Sequence, residues 1–329
     1  MKQSSPTRAP QSRPRKRSSA GPHLALVAVQ IIFGTWPIVG KVALRELPST
    51  GLVAFRVAGA GAAFFLLLRS RGRVKVPQRA DLARLALYSL LGVILNQLLF
   101  VKGLALSTAV NSTIIGTAIP VFSLLVGALL GFEKLSARTA LGTLVAAAGV
   151  IYLVDPLRAD FSGGRALGNL LLVSNSFAYG AYIAVSREVF RRYGALTAMA
   201  WVFAFGCLLT VPLGGYYLSQ VPLRQLGWVT WASVAYIVVV PTVGAYYLNA
   251  WALERVAPST VAVYIYLQPL IVFAVAPLVL GADEQWVARN WIATALIFAG
   301  VAVVTIRTRS RDIRDLSYSN DECEMTGGE

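Results

Sequence analysis

Residues 105–149, ALSTAVNSTIIGTAIPVFSLLVGALLGFEKLSARTALGTLVAAAG, carry the pattern on which the fold turns. The stretch opens on Ala105-Leu106 and runs apolar to Pro120 and on to Gly131. It then passes Glu133 and Lys134 and ends a second apolar run at Ala148-Gly149. Residues 252–300 repeat it: Ala252-Leu253, an apolar run broken by Pro269, then Gly281, Asp283, Glu284 and a run ending in Ala299-Gly300. Glu133 stands as far from Gly149 as Glu284 does from Gly300, and upstream Gly34, Trp36 and Lys41 are echoed by Gly180, Tyr182 and Arg187 at one constant offset. Self-similarity of this kind predicts two diverged copies of one unit.

Composition sets the environment of that unit. Of 329 residues, 56% are hydrophobic and 14% charged, against roughly a quarter charged in soluble domains. Charge-free apolar runs, each long enough to cross a hydrocarbon core of about 30 Å, are expected over 24–44, 51–68, 82–104, 109–131, 137–154, 167–185, 195–218, 227–253, 259–280 and 287–306. The fold class expected is therefore an all-α integral membrane protein of ten transmembrane helices. The first run is too long for a cleaved signal core and nine more follow it. Cys207 and Cys323 stand apart, so no disulfide framework is implied.

The net charge of +15 is distributed as a membrane protein distributes it. If the loops alternate sides with the N-terminus inside, the inner set holds the basic run to Arg17, Arg69 to Arg79, Lys134, Arg138, Arg187, Arg191, Arg192, Arg255 and Arg307 to Arg314. The outer set has Arg45, Arg158, Arg165, Arg224 and Arg289. This positive-inside bias predicts cytoplasmic termini. The partner expected of the basic surface is a lipid bilayer, with no nucleic acid.

Residues 1–22 read as a disordered basic cytoplasmic tail, 23–154 as the first five-helix repeat and 155–166 as an external linker with Pro156, Gly163 and Gly164. The second five-helix repeat follows over 167–306 and a cytoplasmic tail over 307–329. Five spans per copy is an odd number, so the second copy enters the membrane inverted. Inverted repeats are the architecture of many secondary transporters, with the substrate site at mid-membrane between them.

The order of these elements, with Gly34-Thr35-Trp36 in the first span and Arg56 in Ala54-Phe55-Arg56 in the second, resembles the EamA-type family of the drug/metabolite transporter superfamily. The resemblance covers both halves. It implies ten helices, the bacterial inner membrane, and export or exchange of amino acids or other small metabolites. Two departures stand out: Ala105 to Pro120 is shorter than Ala252 to Pro269, and Arg56 aligns with Val202 in the second copy.

Polar groups at membrane depth are costly and face the bundle interior. The candidate substrate-binding residues are Trp36, Asn96, Gln97, Thr113, Thr117, Tyr179, Tyr246, Asn249, Tyr264 and Gln268, with amides and hydroxyls fixing a polar head and rings flanking the rest. Asn175, Tyr182 and Tyr247 lie on the same spans. For each Thr or Tyr an interhelical hydrogen bond or an interface anchor is the alternative. Pro120 and Pro269 are expected helix kinks, since proline removes a backbone hydrogen bond; a kink for packing alone is the competing reading. Arg56 reads as an anchor snorkelling to the outer interface, with an anion-attracting site as the second reading.

No Asp or Glu falls at mid-membrane, and Glu254 is the nearest. Uniport or exchange is thus expected over carboxylate-coupled antiport. His23 is the single histidine, which excludes a His triad or an HExxH metal site. No GxSxG elbow or phosphate-binding loop is present. No enzyme, cofactor or metal is expected. The function expected is a secondary transporter of a small organic molecule, by alternating access; a non-transporting scaffold on the same fold is the alternative. Substrate identity, direction and oligomeric state are left open by the sequence.

Overall fold

A computed structural model describes residues 20–71, 76–131, 137–154, 164–253, 264–265, 267–281, 286–300 and 302–303. The tails expected over 1–22 and 307–329, the linker over 155–166, Glu133 with Lys134, Asp283 with Glu284, and Glu254 fall wholly or mostly outside the described residues.

Among the described residues every regular element is helical. The helices are α1 (Ala20–Ala43), α2 (Ser49–Ser70), α3 (Arg79–Leu106), α4 (Ala109–Leu129), α5 (Ala137–Val154) and α6 (Arg165–Tyr193). After them come α7 (Ala195–Leu218), α8 (228–253), α9 (Leu267–Leu280) and α10 (288–300). Six of them, α1, α2, α3, α4, α7 and α8, are long and apolar enough to cross a membrane, against ten spans expected. Parts of the expected spans 259–280 and 287–306 lie outside the described residues. Helix α6 is 29 residues long but carries Asn169, Ser174, Asn175 and Ser176, which dilute its apolar windows. The described apolar parts of α5 and α9, Ala140–Leu153 and Leu267–Leu280, are shorter.

The repeat is visible in how the elements end. Gly131 closes α4 at φ 77° and Gly281 closes α9 at φ 90°, a left-handed conformation that glycine enters without a Cβ clash. That is why both copies carry the glycine there. Helix α4 breaks at Thr117–Ala118, just ahead of Pro120, and restarts as Ile119–Leu129. Its first turn is capped by Thr108, whose side chain accepts from the Asn111 amide at 2.9 Å.

Two departures from α-helix were not foreseen. Residues Leu90–Leu95 in α3 and Val238–Gly244 in α8 are π-helical, and they occupy corresponding spans of the two copies. In α8, Pro241 has no N–H to give the Ile237 carbonyl four residues back; the Thr242 hydroxyl donates to that carbonyl at 2.6 Å instead. Such insertions occur frequently at functional sites.

Close backbone approach pairs helices in opposite directions. A Cβ at Gly51 would meet Leu218, one at Gly61 would meet Cys207, and one at Gly214 would meet Ala54 and Thr50, so α2 and α7 run antiparallel. In the same way Gly149 lies against Ala293 and Ile297 while Gly300 lies against Gly142 and Ala146, so α5 and α10 run antiparallel. Small residues at such contacts let membrane helices pack by van der Waals complementarity, since lipid supplies no hydrophobic drive.

Among the described residues two large apolar clusters fill the interior, with a small third one at Leu26 and Ala252. One, with Leu52, Val57, Phe64, Leu85, Phe203 and Ile237, centres on α2 and α7. The other, with Val110, Ile114, Leu172, Val272 and Ile297, joins α4, α6, α9 and α10. Leu208, Leu270, Leu278, Trp228 and Ile292 are left exposed, a surface that suits hydrocarbon and that water would penalise. The protein is a multi-pass membrane protein.

Candidate functional site

A cavity of about 130 Å³ opens where the two clusters meet, lined by residues of α1, α2, α3, α4, α6, α8 and the entry to α9. This is well above the roughly 10–15 Å³ that admits a single water. Three side-chain pairs cross it from different helices. Asn96 on α3 donates to the Asn175 Oδ1 on α6 at 2.8 Å. Gln97 donates to the Tyr246 hydroxyl on α8 at 3.1 Å. Gln268 on α9 donates to the Gln30 Oε1 on α1 at 2.6 Å. Among the described residues each pair leaves amide capacity unused, because an Asn or Gln side chain offers two donor hydrogens and two acceptor sites.

The backbone adds to the polarity. Pro120 cannot serve the carbonyl of Gly116, and Pro269 cannot serve that of Ile265, each four residues back. Gly116 and Ile265 both line the cavity. The Ile265 carbonyl accepts from the Gln268 amide at 3.1 Å in a tightened turn. The two prolines therefore loosen the helix at corresponding places in α4 and α9, beside the cavity.

Eight of the ten sequence-derived residues line the cavity: Trp36, Asn96, Gln97, Thr113, Tyr179, Tyr246, Asn249 and Gln268. Two do not. Thr117 is buried with its hydroxyl on the Ile114 carbonyl at 2.6 Å. Tyr264 pairs its hydroxyl with His23 Nδ1 at 2.8 Å and packs among Leu26, Trp251 and Ala252. Tyr182 is core, edge-on to Tyr88 and stacked on Tyr179. Tyr247 turns toward Arg71, which donates to its hydroxyl at 3.4 Å.

The sequence reading missed Gln30 and Phe33 on α1 and did not place Arg56 in the cavity. An amide in the middle of an otherwise apolar span was the available signal for Gln30. Arg56 is 2% exposed and does not snorkel outward as an anchor. Its guanidinium carbon lies 3.8 Å from the centre of the Trp36 ring, and its Nε donates to Thr242 Oγ1 at 3.1 Å. Trp36 in turn stacks on Phe100, centroids 6.0 Å apart.

Both ends of the bundle carry further polar ties. At one end of the bundle, the buried Asp81 carboxylate accepts from Arg192 at 2.9 Å and from the Tyr193 hydroxyl at 2.7 Å, joining α3 to α6. At the opposite end Asn111 donates to Asn169 at 3.2 Å and accepts from Asn290 at 3.0 Å, while the Ser107 hydroxyl donates to Asn169. That network links α4, α6 and α10.

An all-helical membrane protein with a partly polar cavity between two helical clusters is the class that this geometry defines. The chain belongs to the EamA-like transporter family, which it matches over residues 21–154 and 166–306. It is 25% identical to an "Uncharacterized transporter" of Archaeoglobus fulgidus, over 87% of this chain and 97% of that one. It is 23% identical to the "Uncharacterized transporter YetK" of Bacillus subtilis, over 90% of each. Against "Protein WALLS ARE THIN 1" of Arabidopsis thaliana it is 22% identical over 86% of this chain and 82% of that one. A solved crystal structure superposes with a TM-score of 0.62 at 19% identity, covering 89% of this chain and 99% of that one, a likeness of fold.

Proposed function

We propose that the protein is a secondary carrier and not an enzyme, moving a small organic metabolite, an amino acid or related compound, across the inner (plasma) membrane by alternating access. Its two halves, 23–154 and 167–306, act as inverted five-helix repeats, with ten spans and both termini in the cytoplasm. The observation that carries this reading is the cavity itself. Its amide pairs join helices of one half to helices of the other, Gln97 to Tyr246 and Gln30 to Gln268. A site built across two bodies changes its exposure when they rock against each other.

The antiparallel packing of α2 on α7 and of α5 on α10 supports the inversion, since each pair joins equivalent spans of the two copies. The Asp81–Arg192–Tyr193 tie and the Asn111–Asn169–Asn290 network close opposite ends of the bundle, and one of them must open in each state. No acidic side chain lines the cavity among the described residues, which favours uniport or exchange. Trp36, Asn96, Gln97, Thr113, Tyr179, Tyr246, Asn249 and Gln268 are the residues that would meet substrate.

Counterflow uptake in proteoliposomes tests this, with a panel of labelled amino acids and small metabolites and the variants Asn96→Ala and Gln268→Ala. Uptake of one class by the wild type, lost in both folded variants, is the expected result. Absence of uptake across the panel would move the assignment to a non-transporting scaffold on the same fold.

A further inference from the structure

We propose that Arg56 is an anion-binding group of the cavity, and that the molecule taken there carries a carboxylate. The proposal rests on the carrier reading above and names the substrate class of that same site.

Arg56 is a buried cation in a cavity with no acidic side chain on its walls among the described residues. Its protein partners are neutral: the Trp36 ring face at 3.8 Å and the Thr242 hydroxyl on Nε at 3.1 Å. A guanidinium carries five N–H donors. Only the one on Nε is satisfied by a hydrogen bond among the described residues, so the four on Nη1 and Nη2 are left for a ligand. A buried charge without a counter-charge is costly, and the fork of two terminal nitrogens matches a carboxylate in two parallel bonds.

The fork is also held in place. Pro241 diverts Thr242 onto the Ile237 carbonyl, which fixes the Thr242 oxygen as an acceptor facing α2. Trp36, stacked in turn on Phe100, braces a face of the guanidinium. The neighbouring amides Asn96 and Gln97 then address the rest of the molecule, for example an α-amino or hydroxyl group, and Phe33 and Tyr179 give an apolar wall.

A second cavity gives independent support. It measures about 370 Å³, lies at the end of the bundle that the charge distribution assigns to the exterior, and is lined by Lys41, Arg45 and Arg165 with no acidic residue among the described ones. Lys41 bonds the Ser107 carbonyl at 2.6 Å. A cleft lined by one sign of charge concentrates ions of the other. Cations lining a cleft at that end of the bundle and a cation in the central cavity both favour organic acids over amines.

The test separates binding from transport. Purified full-length protein in micelles is titrated with glycine, alanine, glutamine, phenylalanine and benzoate, each against its primary amide, with tryptophan emission as readout because Trp36 lies under Arg56. At least one acid is expected to bind more than about tenfold tighter than its amide. Arg56→Gln is expected to weaken that acid about ten- to a hundredfold, as for loss of a charged hydrogen-bonding partner, and to leave the amide unchanged. Arg56→Lys keeps the charge without the fork and falls between.

Equal affinity for acids and amides, no binding across the panel, or an unchanged acid affinity in Arg56→Gln would each overturn the proposal. The wild-type comparison of acid with amide needs no variant, so a misfolded Arg56→Gln does not remove the test. Binding of acids without proteoliposome uptake keeps Arg56 as the anion site and overturns the carrier reading. Uptake that ignores the carboxylate does the reverse.

Discussion

Gln97 donates to the Tyr246 hydroxyl at 3.1 Å, with both residues buried, and this bond ties α3 of the first copy to α8 of the second. It joins the two helices that carry π-helical segments, each a few residues upstream of the bonded residue. Removing the hydroxyl strands a buried amide donor. Tyr246→Phe should therefore lower stability by about 1 kcal/mol. A double-mutant cycle with Gln97→Leu in detergent unfolding should return a coupling of about 0.6 kcal/mol, the usual scale for interhelical bonds in membranes. A coupling of zero would mean that the pair contributes geometry without energy.

Pro120 and Pro269 loosen α4 and α9 beside the cavity-lining Gly116 and Ile265. Pro120→Ala and Pro269→Ala each restore the missing donor and straighten a wall. Thermal unfolding should show unchanged or raised stability, while initial uptake rates fall several-fold. Uptake equal to wild type in both variants would reduce the prolines to packing kinks.

Gly149 and Gly300 sit where α5 and α10 approach, with Ala293 and Ile297, and Gly142 and Ala146, as their respective neighbours. Gly149→Leu and Gly300→Leu push the helices apart and should each cost about 1–3 kcal/mol, read as a lower unfolding midpoint and reduced monodispersity. Gly215→Leu is the control, because nothing lies within 4 Å of a Cβ placed there. Equal effects at all three would point to glycine entropy instead of contact.

Asp81 is 1% exposed and gathers Arg192 and Tyr193 at one end of the bundle. Asp81→Asn keeps the shape and removes the charge. The unfolding midpoint should fall, and the fall should shrink at high salt because Arg192 is half-exposed and screened. Under the carrier reading the same change eases opening at that end, so labelling of a cysteine placed at Thr113 from the cytoplasmic side should speed up. Unaltered labelling would make the tie structural alone.

Much of the candidate site was legible from chemistry alone. Asn96, Gln97, Asn249 and Gln268 interrupt apolar spans, and polar groups at that depth need partners inside the bundle. Thr117 and Tyr264 obeyed the same rule and were satisfied elsewhere, one by its own helix and the other by His23. Periodicity gives the face of a helix and not the partner on the next one. Arg56 shows the limit most clearly. Its place near a span end read as a snorkelling anchor, because the sequence does not reveal that Trp36 and Thr242 cover it.

What the sequence determined by itself is the class: apolar runs, a positive-inside charge pattern and one unit written twice follow from composition and spacing, which are properties of the chain. The run over 167–185 is the most polar of those expected to span, and its Asn169, Asn175 and Ser176 turn inward. What tertiary structure alone decided is which polar groups meet. The π-helical turns at Leu90–Leu95 and Val238–Gly244 rotate the residues after them, and close glycine contacts hold α2 on α7 and α5 on α10. Cavity shape is a sum over long-range packing, and no local pattern records it.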